Sequence, residues 1–304
     1  MKPFFTILVS VIFLVGCRNA KVISQTSEKS DQSSLPFAFE KITILNKKYT
    51  ETSGLEYLDG EIITHNDSGD LPRIYFLDTL GNGIRQTQFN KMKAIDWEDI
   101  CRDEKYLYIA DIGNNYGDRR DLTIYKTLLE SLGNQDADVS KMHIEYPDQT
   151  IFEKNEQRHP YDAESLVSVG DYLFVFSKDW KELSTVVYRI NKNSSKQQAE
   201  RITSHPIKGL ITGATFDRQD TIVLCGYSSN LIPFVVKVVD KNGGFEFGEK
   251  YELPLKNGAQ VEAITYAYTE NNGRQVYYLS SEAAAIQLGE DEAQSDAELY
   301  KMVW

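Results

Sequence analysis

Three glutamates and two hydroxyl residues, Ser53, Glu98, Glu164, Thr212 and Glu262, each open the same short pattern: an oxygen-bearing side chain, a small or acidic residue, then an apolar one. The copies read Ser53-Gly54-Leu55, Glu98-Asp99-Ile100, Glu164-Ser165-Leu166, Thr212-Gly213-Ala214 and Glu262-Ala263-Ile264, at spacings of 45, 66, 48 and 50 residues. If the five first positions converge, three carboxylates repel one another unless they share protons or a cation neutralises them. An all-oxygen set suits a hard ion, and its flexible geometry favours Ca²⁺ over Mg²⁺. Calcium held by those five residues is the expected cofactor. The other reading of the same side chains is that they cap neighbouring backbone amides and hold water.

A second group of functional side chains follows the triplets: His65, Asn66, Asp67 and Ser68; Asp111, Asn114 and Asn115; Lys178; and Arg119 with Arg120. Brought to one concavity, Asp67 or Asp111 could activate water. Lys178 with Arg119 or Arg120 could offset charge on a phosphate, and Asn66, Asn114 and Asn115 could contact a polar ligand. Asn66-Asp67-Ser68-Gly69 and Gly113-Asn114-Asn115 are also good turn sequences, in which Asx side chains bond their own backbone. The chain carries no CxxC, HExxH, P-loop or nucleophile elbow, and its four histidines give little support to His-based catalysis.

The elements that must position these residues are short strands. Thirteen residues after the first four triplets begin lie Asn66, Asp111, Ser177 and Cys225, each ending an apolar run. A third strand then brings Ile74-Tyr75, Ile124-Tyr125, Val187-Tyr188, Val235-Val236 and Leu299-Tyr300. Repeats of this length, built from strands and Gly/Asn/Asp turns, predict an all-β fold, a propeller, because one such sheet cannot bury both faces alone. Fourth strands are expected at Ile84 to Phe89, Met142 to Tyr146, Arg201 to His205 and Tyr251 to Leu255. The last unit lacks one, and Lys41 to Leu45 can supply it and close the ring without an open edge. The reading is a five-bladed propeller closed by an N-terminal strand. Six blades is the alternative, since the 66-residue spacing could hide one, but Leu129 to Val139 reads better as a polar insertion.

Residues 1–16, with Lys2 ahead of an apolar run from Phe4 to Val15, predict a signal peptide. Leu14-Val15-Gly16-Cys17 fits a bacterial lipobox, so Cys17 is the expected lipidation site and N-terminus of a mature cell-envelope lipoprotein. Arg18 in place of Asp after the cysteine favours the outer membrane. Residues 17–36 are polar and Ser-rich, a flexible tether reaching about 25 Å, and 37–304 form the propeller. The formal charge of −12 argues against nucleic-acid binding. A monomer is expected, with Cys101 and Cys225 as free, buried thiols.

The order Ser53, Glu98, Glu164, Thr212, Glu262 resembles the axial calcium ring of the calcium-activated nucleotidases, the soluble apyrases. Similar stretches are Trp97-Glu98-Asp99-Ile100, Asp162-Ala163-Glu164-Ser165-Leu166, Thr212-Gly213-Ala214-Thr215-Phe216 and Val261-Glu262-Ala263-Ile264. The resemblance implies a five-bladed fold with a central Ca²⁺ on those five positions. Where that family has Asp-Asp-Arg-Thr-Gly, this chain has Asn66-Asp67-Ser68-Gly69-Asp70. Where it has Gly-Gly-Leu-Gly-Lys, this chain has Ala110-Asp111-Ile112-Gly113-Asn114-Asn115. The chain also resembles secreted bacterial propellers that carry Asn-Asp-Ser-Gly, Asp-Trp-Glu-Asp and Asp-Ile-Gly-Asn segments. Two functions follow as expectations. One is a calcium-stabilised module binding a polar small molecule, glycan or protein at the channel mouth. The other is a Ca²⁺-dependent hydrolase of phosphoesters or phosphoanhydrides.

Overall fold

Runs such as Ile62-Ile63, Leu107 to Ala110 and Leu173 to Phe176 are apolar on both faces, which a strand tolerates only when another sheet covers each side. The computed structural model supplies that cover. It describes residues 35–304 apart from 68, 242–243, 257 and 289–290, so the signal peptide, Cys17, nearly all of the tether and Ser68 lie outside the described residues.

Five antiparallel sheets form a five-bladed propeller. From the axis outward, blade one is Thr52–Leu58, Glu61–Asn66, Arg73–Leu77 and Gly83–Gln88. Blade two is Trp97–Arg102, Tyr106–Asp111, Thr123–Leu128 and Val139–Glu145. Blade three is Asp162–Val169, Tyr172–Lys178, Thr185–Asn191 and Glu200–His205. Blade four is Leu210–Phe216, Thr221–Tyr227, Pro233–Lys241 and Gly244–Glu252. Blade five is Val261–Thr269, Gln275–Ser281 and Glu298–Val303, completed on its outer edge by Ala38–Ile44.

That edge strand runs antiparallel to Glu298–Val303, from Ala38 opposite Val303 to Ile44 opposite Glu298, and closes the ring as expected. The wide second unit holds no extra blade. Residues 129–138 make a 3₁₀ turn at Leu129–Ser131 and a polar loop, and 146–161 return across the same blade with Gln157 N–H donating to Asn115 O (2.9 Å). The fourth strand of blade four starts earlier than the sequence suggests, at Gly244, because Phe245 and Phe247 turn one face onto the neighbouring blade. Lys196–Gln198, from blade three, pairs in parallel with the outer strand of blade two and covers its edge.

The apolar side chains divide into five clusters, one in each gap between adjacent blades. No apolar cluster lies on the axis among the described residues, and that leaves the middle of the ring to polar groups. Cys101 and Cys225 are free and buried in different gaps. The third-strand tyrosines pack there too, with hydroxyls satisfied: Tyr75 donates to Asp70 (2.7 Å), Tyr300 to Glu298 (2.6 Å), and Tyr125 accepts from the Lys93 N–H (3.1 Å).

Candidate functional site at the channel mouth

The five residues that open the triplets share one backbone feature. In every inner strand the ladder with the second strand slips by one residue: between Thr52 and Gly54, Trp97 and Asp99, Ala163 and Ser165, Ile211 and Gly213, and Val261 and Ala263. Ser53, Glu98, Glu164, Thr212 and Glu262 are therefore the extra residues of five β-bulges. A bulge leaves its residue out of the ladder and redirects its side chain. All five are buried.

Their side chains meet different partners. Ser53 Oγ donates to the Glu98 carbonyl (2.6 Å) and Thr212 Oγ1 to the Val261 carbonyl (2.6 Å), so each hydroxyl ties its blade to the next. Glu164 accepts from the buried ammonium of Lys178. Burial alone would lower the Lys178 pKa, but Glu164, then Tyr227 and Glu262, outweigh it and keep the amine charged. Glu262 is pushed up to about 8 by burial and by Glu282, against the pull of Lys178. Glu282 is likewise raised to about 8 by burial, with Asp67 next.

Glu98 is the exception. It is 3% exposed, and its Oε1 has no hydrogen-bond partner among the described residues. Burial, then Asp67, Glu164, Asp96 and Asp162, raise its pKa well above the ordinary value. One oxygen from each of Asp67, Asp96 and Glu98 lies within 4.8 Å of the others. Gly113 stands against this group, where a Cβ would overlap both Glu98 Oε1 and Asp96 Oδ2.

The remaining expected ligand contacts separate into two classes. Asp67 is half-buried beside Asp96 and Glu98, and Lys178 is buried against Glu164. Asp111 is an anchor: Arg119 donates to its Oδ1 (2.9 Å), as does the Asp96 N–H (3.1 Å), and the Ile95 N–H donates to Oδ2 (3.4 Å). Arg119 is spent on Asp111, Asp121 and the Gly113 carbonyl. Asn114 ties blade two to blade three, its N–H donating to Asp162 Oδ1 (2.8 Å) and its amide to Tyr161 O (2.9 Å). Asn66 donates to Lys48 O and Asp70, the Asn115 carbonyl accepts from Gln157 and His159, and Arg120 stacks on Phe152, 3.6 Å from the ring centroid.

Asp99, fully buried, accepts from the N–H groups of Ile100 and Leu166 (both 2.8 Å), joining blades two and three at the axis. Gly54 and Gly213 let the inner strands approach: a Cβ at Gly213 would sit 2.7 Å from Glu262 O and 2.9 Å from Cys225 Sγ.

Asp96 and Asp162 escaped notice as site residues. Each lies two positions before a ring glutamate, as Glu51 does before Ser53, and that recurring acid was the available signal. As a test of the expected calcium set, these contacts leave Glu98, with Oε1 unpartnered among the described residues and two aspartates beside it, as the ring member whose donors fit a cation. Glu164 already has an internal cation, and two ring hydroxyls have committed their protons to backbone.

No family model matches the chain, and no curated protein matches it. Among solved structures, a chain from the crystal structure of the mitotic checkpoint complex is similar over 93% of this chain and 98% of its own, at 11% identity and a TM-score of 0.39. A likeness that remote carries no argument, and the blade count rests on the five sheets themselves.

Proposed function

We propose that the chain is a cell-envelope lipoprotein whose propeller, stabilised by a divalent cation, calcium, binds a polar ligand at the channel mouth. The observation that carries this reading is the excess of acid there: the buried Glu98, Asp162, Glu164 and Glu262 and the half-buried Asp67, Asp96 and Glu282 act on one another, while Lys178 and Arg119 are the side-chain cations among them. Buried carboxylates in excess of the cations around them are costly, and the five apolar gaps hold the ring together without them. A ligand for such a mouth is cationic, or it is an anion that shares the bound metal.

Hydrolysis by Asp111 is disfavoured, because Arg119 and two backbone N–H groups hold its carboxylate. Glycan and peptide binding measured with Ca²⁺ and with EDTA tests the proposal; calcium-dependent binding without turnover is expected. Turnover of a nucleoside diphosphate, phosphate monoester or aryl ester that Asp67→Ala abolishes would replace it with the hydrolase reading. The lipid anchor rests on Leu14-Val15-Gly16-Cys17. Cys17→Ser is expected to move the protein from the membrane to the soluble fraction, and a variant still sedimenting with membranes would refute it.

A further inference from the structure

We propose that the divalent cation sits off the axis, at the junction of blades one and two, held by Asp67, Asp96 and Glu98 and not by the five-residue ring. The inference rests on the reading above that a cation stabilises this mouth, and it assigns the ion its ligands.

Three independent features meet at this point. The three carboxylates come from three separate places in the chain: the loop after the second strand of blade one, the approach to blade two, and the bulge of its inner strand. Each directs an oxygen to within 4.8 Å of the other two, a span that one ion bridges. Glu98 Oε1 is buried and lacks a hydrogen-bond partner, an arrangement that a purely structural carboxylate rarely leaves in place. Gly113 keeps open the space that any side chain would fill.

Local charge supports the placement. Arg119 and Lys178 are the side-chain cations that act on Asp96. Those two cations are committed elsewhere, Arg119 to Asp111 and Asp121 and Lys178 to Glu164. In blade three, Lys178 holds the ring glutamate equivalent to Glu98; in blade two no side chain does so. Three hard carboxylate ligands with open positions towards the mouth suit Ca²⁺, water or a ligand oxygen completing the shell. The half-buried Asp67 and Asp96 give the ion a route in.

Terbium, excited through tryptophan and competed off by Ca²⁺, is the probe, with Trp97 directly between Asp96 and Glu98 in sequence. On the full-length chain, Asp96→Asn and Asp67→Asn are each expected to weaken Tb³⁺ and Ca²⁺ binding at least ~10-fold, the loss of one charged ligand. Gly113→Ala should do the same by filling the cradle, and Glu262→Gln should change affinity less than ~3-fold. Melts of each variant in EDTA, matching the parent, establish that the fold survives. Binding that Glu262→Gln abolishes and Asp96→Asn spares would overturn the assignment while leaving a calcium-stabilised mouth intact. A parent protein that binds neither ion would overturn both.

Discussion

Glu98 and Glu164 occupy the same position in neighbouring blades, yet one faces acids and the other a lysine. The difference arises across a hairpin: Lys178, fourteen residues after Glu164, stands opposite Asp162 in the ladder, whereas the residue fourteen after Glu98 is the apolar Ile112. That pairing depends on register, which is why a distance of fourteen residues in sequence gave no hint of it. Lys178, expected to meet a ligand phosphate, is the internal counter-ion of the ring. The acids predict an unusual pH response. Glu262 and Glu282 titrate near 8 in the fold and near 4 when unfolded, so they favour the folded state at low pH and cease to do so as pH rises through 8. His65, depressed to about 4 by burial, acts oppositely and loses its contribution only as pH falls below about 6.5. Between pH 6.5 and 8.5 the acids alone act. The melting midpoint in EDTA is expected to fall by about 5 °C over that range, and Ca²⁺ to reverse the fall; a flat profile would contradict the raised pKa values.

At the scale of the strand, the sequence showed where each inner strand begins but not that it bulges there. A bulge is a relation between two strands, and the triplets expose only one side of it. The residue after each bulge, small in blades one, three, four and five and acidic in blade two, was legible as a type, and for the glycines the structure gives the reason. Gly54 lies where a Cβ would meet His65 Nε2 at 2.5 Å and Ile100 N at 2.8 Å, and Gly213 is as confined. Gly213→Ala should therefore cost about 1–3 kcal/mol by overpacking, seen as a lower midpoint in thermal or denaturant unfolding. An unchanged midpoint would mean that the inner strands are looser at the axis than their contacts indicate. Asn66, Asn114 and Asp111 belong at this scale as well: the two asparagines were candidates for ligand contact and Asp111 for activating water, and each fastens a turn or a blade boundary.

For the whole molecule, repetition carried the reading. Five recurrences of triplet, apolar run and third strand were enough to identify the blades and the strand that closes them, because every blade needs the same two-faced burial. Position on the axis was inferable; occupancy of that space was not, since it is decided by loops of unequal length such as 146–161. The closing strand has a mechanical meaning. Tension arriving from the N-terminal side enters at Phe37, wedged beside Tyr251 and Trp304 with ring centroids 6.1 and 5.0 Å away, and then at the rung between Ala38 and Val303. A pull away from the sheet unzips those rungs singly, whereas a pull along the strand shears them together. The direction of the pull thus sets how much force the closure withstands, and Leu35 and Phe37, both packed on the cluster between blades four and five, are the latch that must lift first.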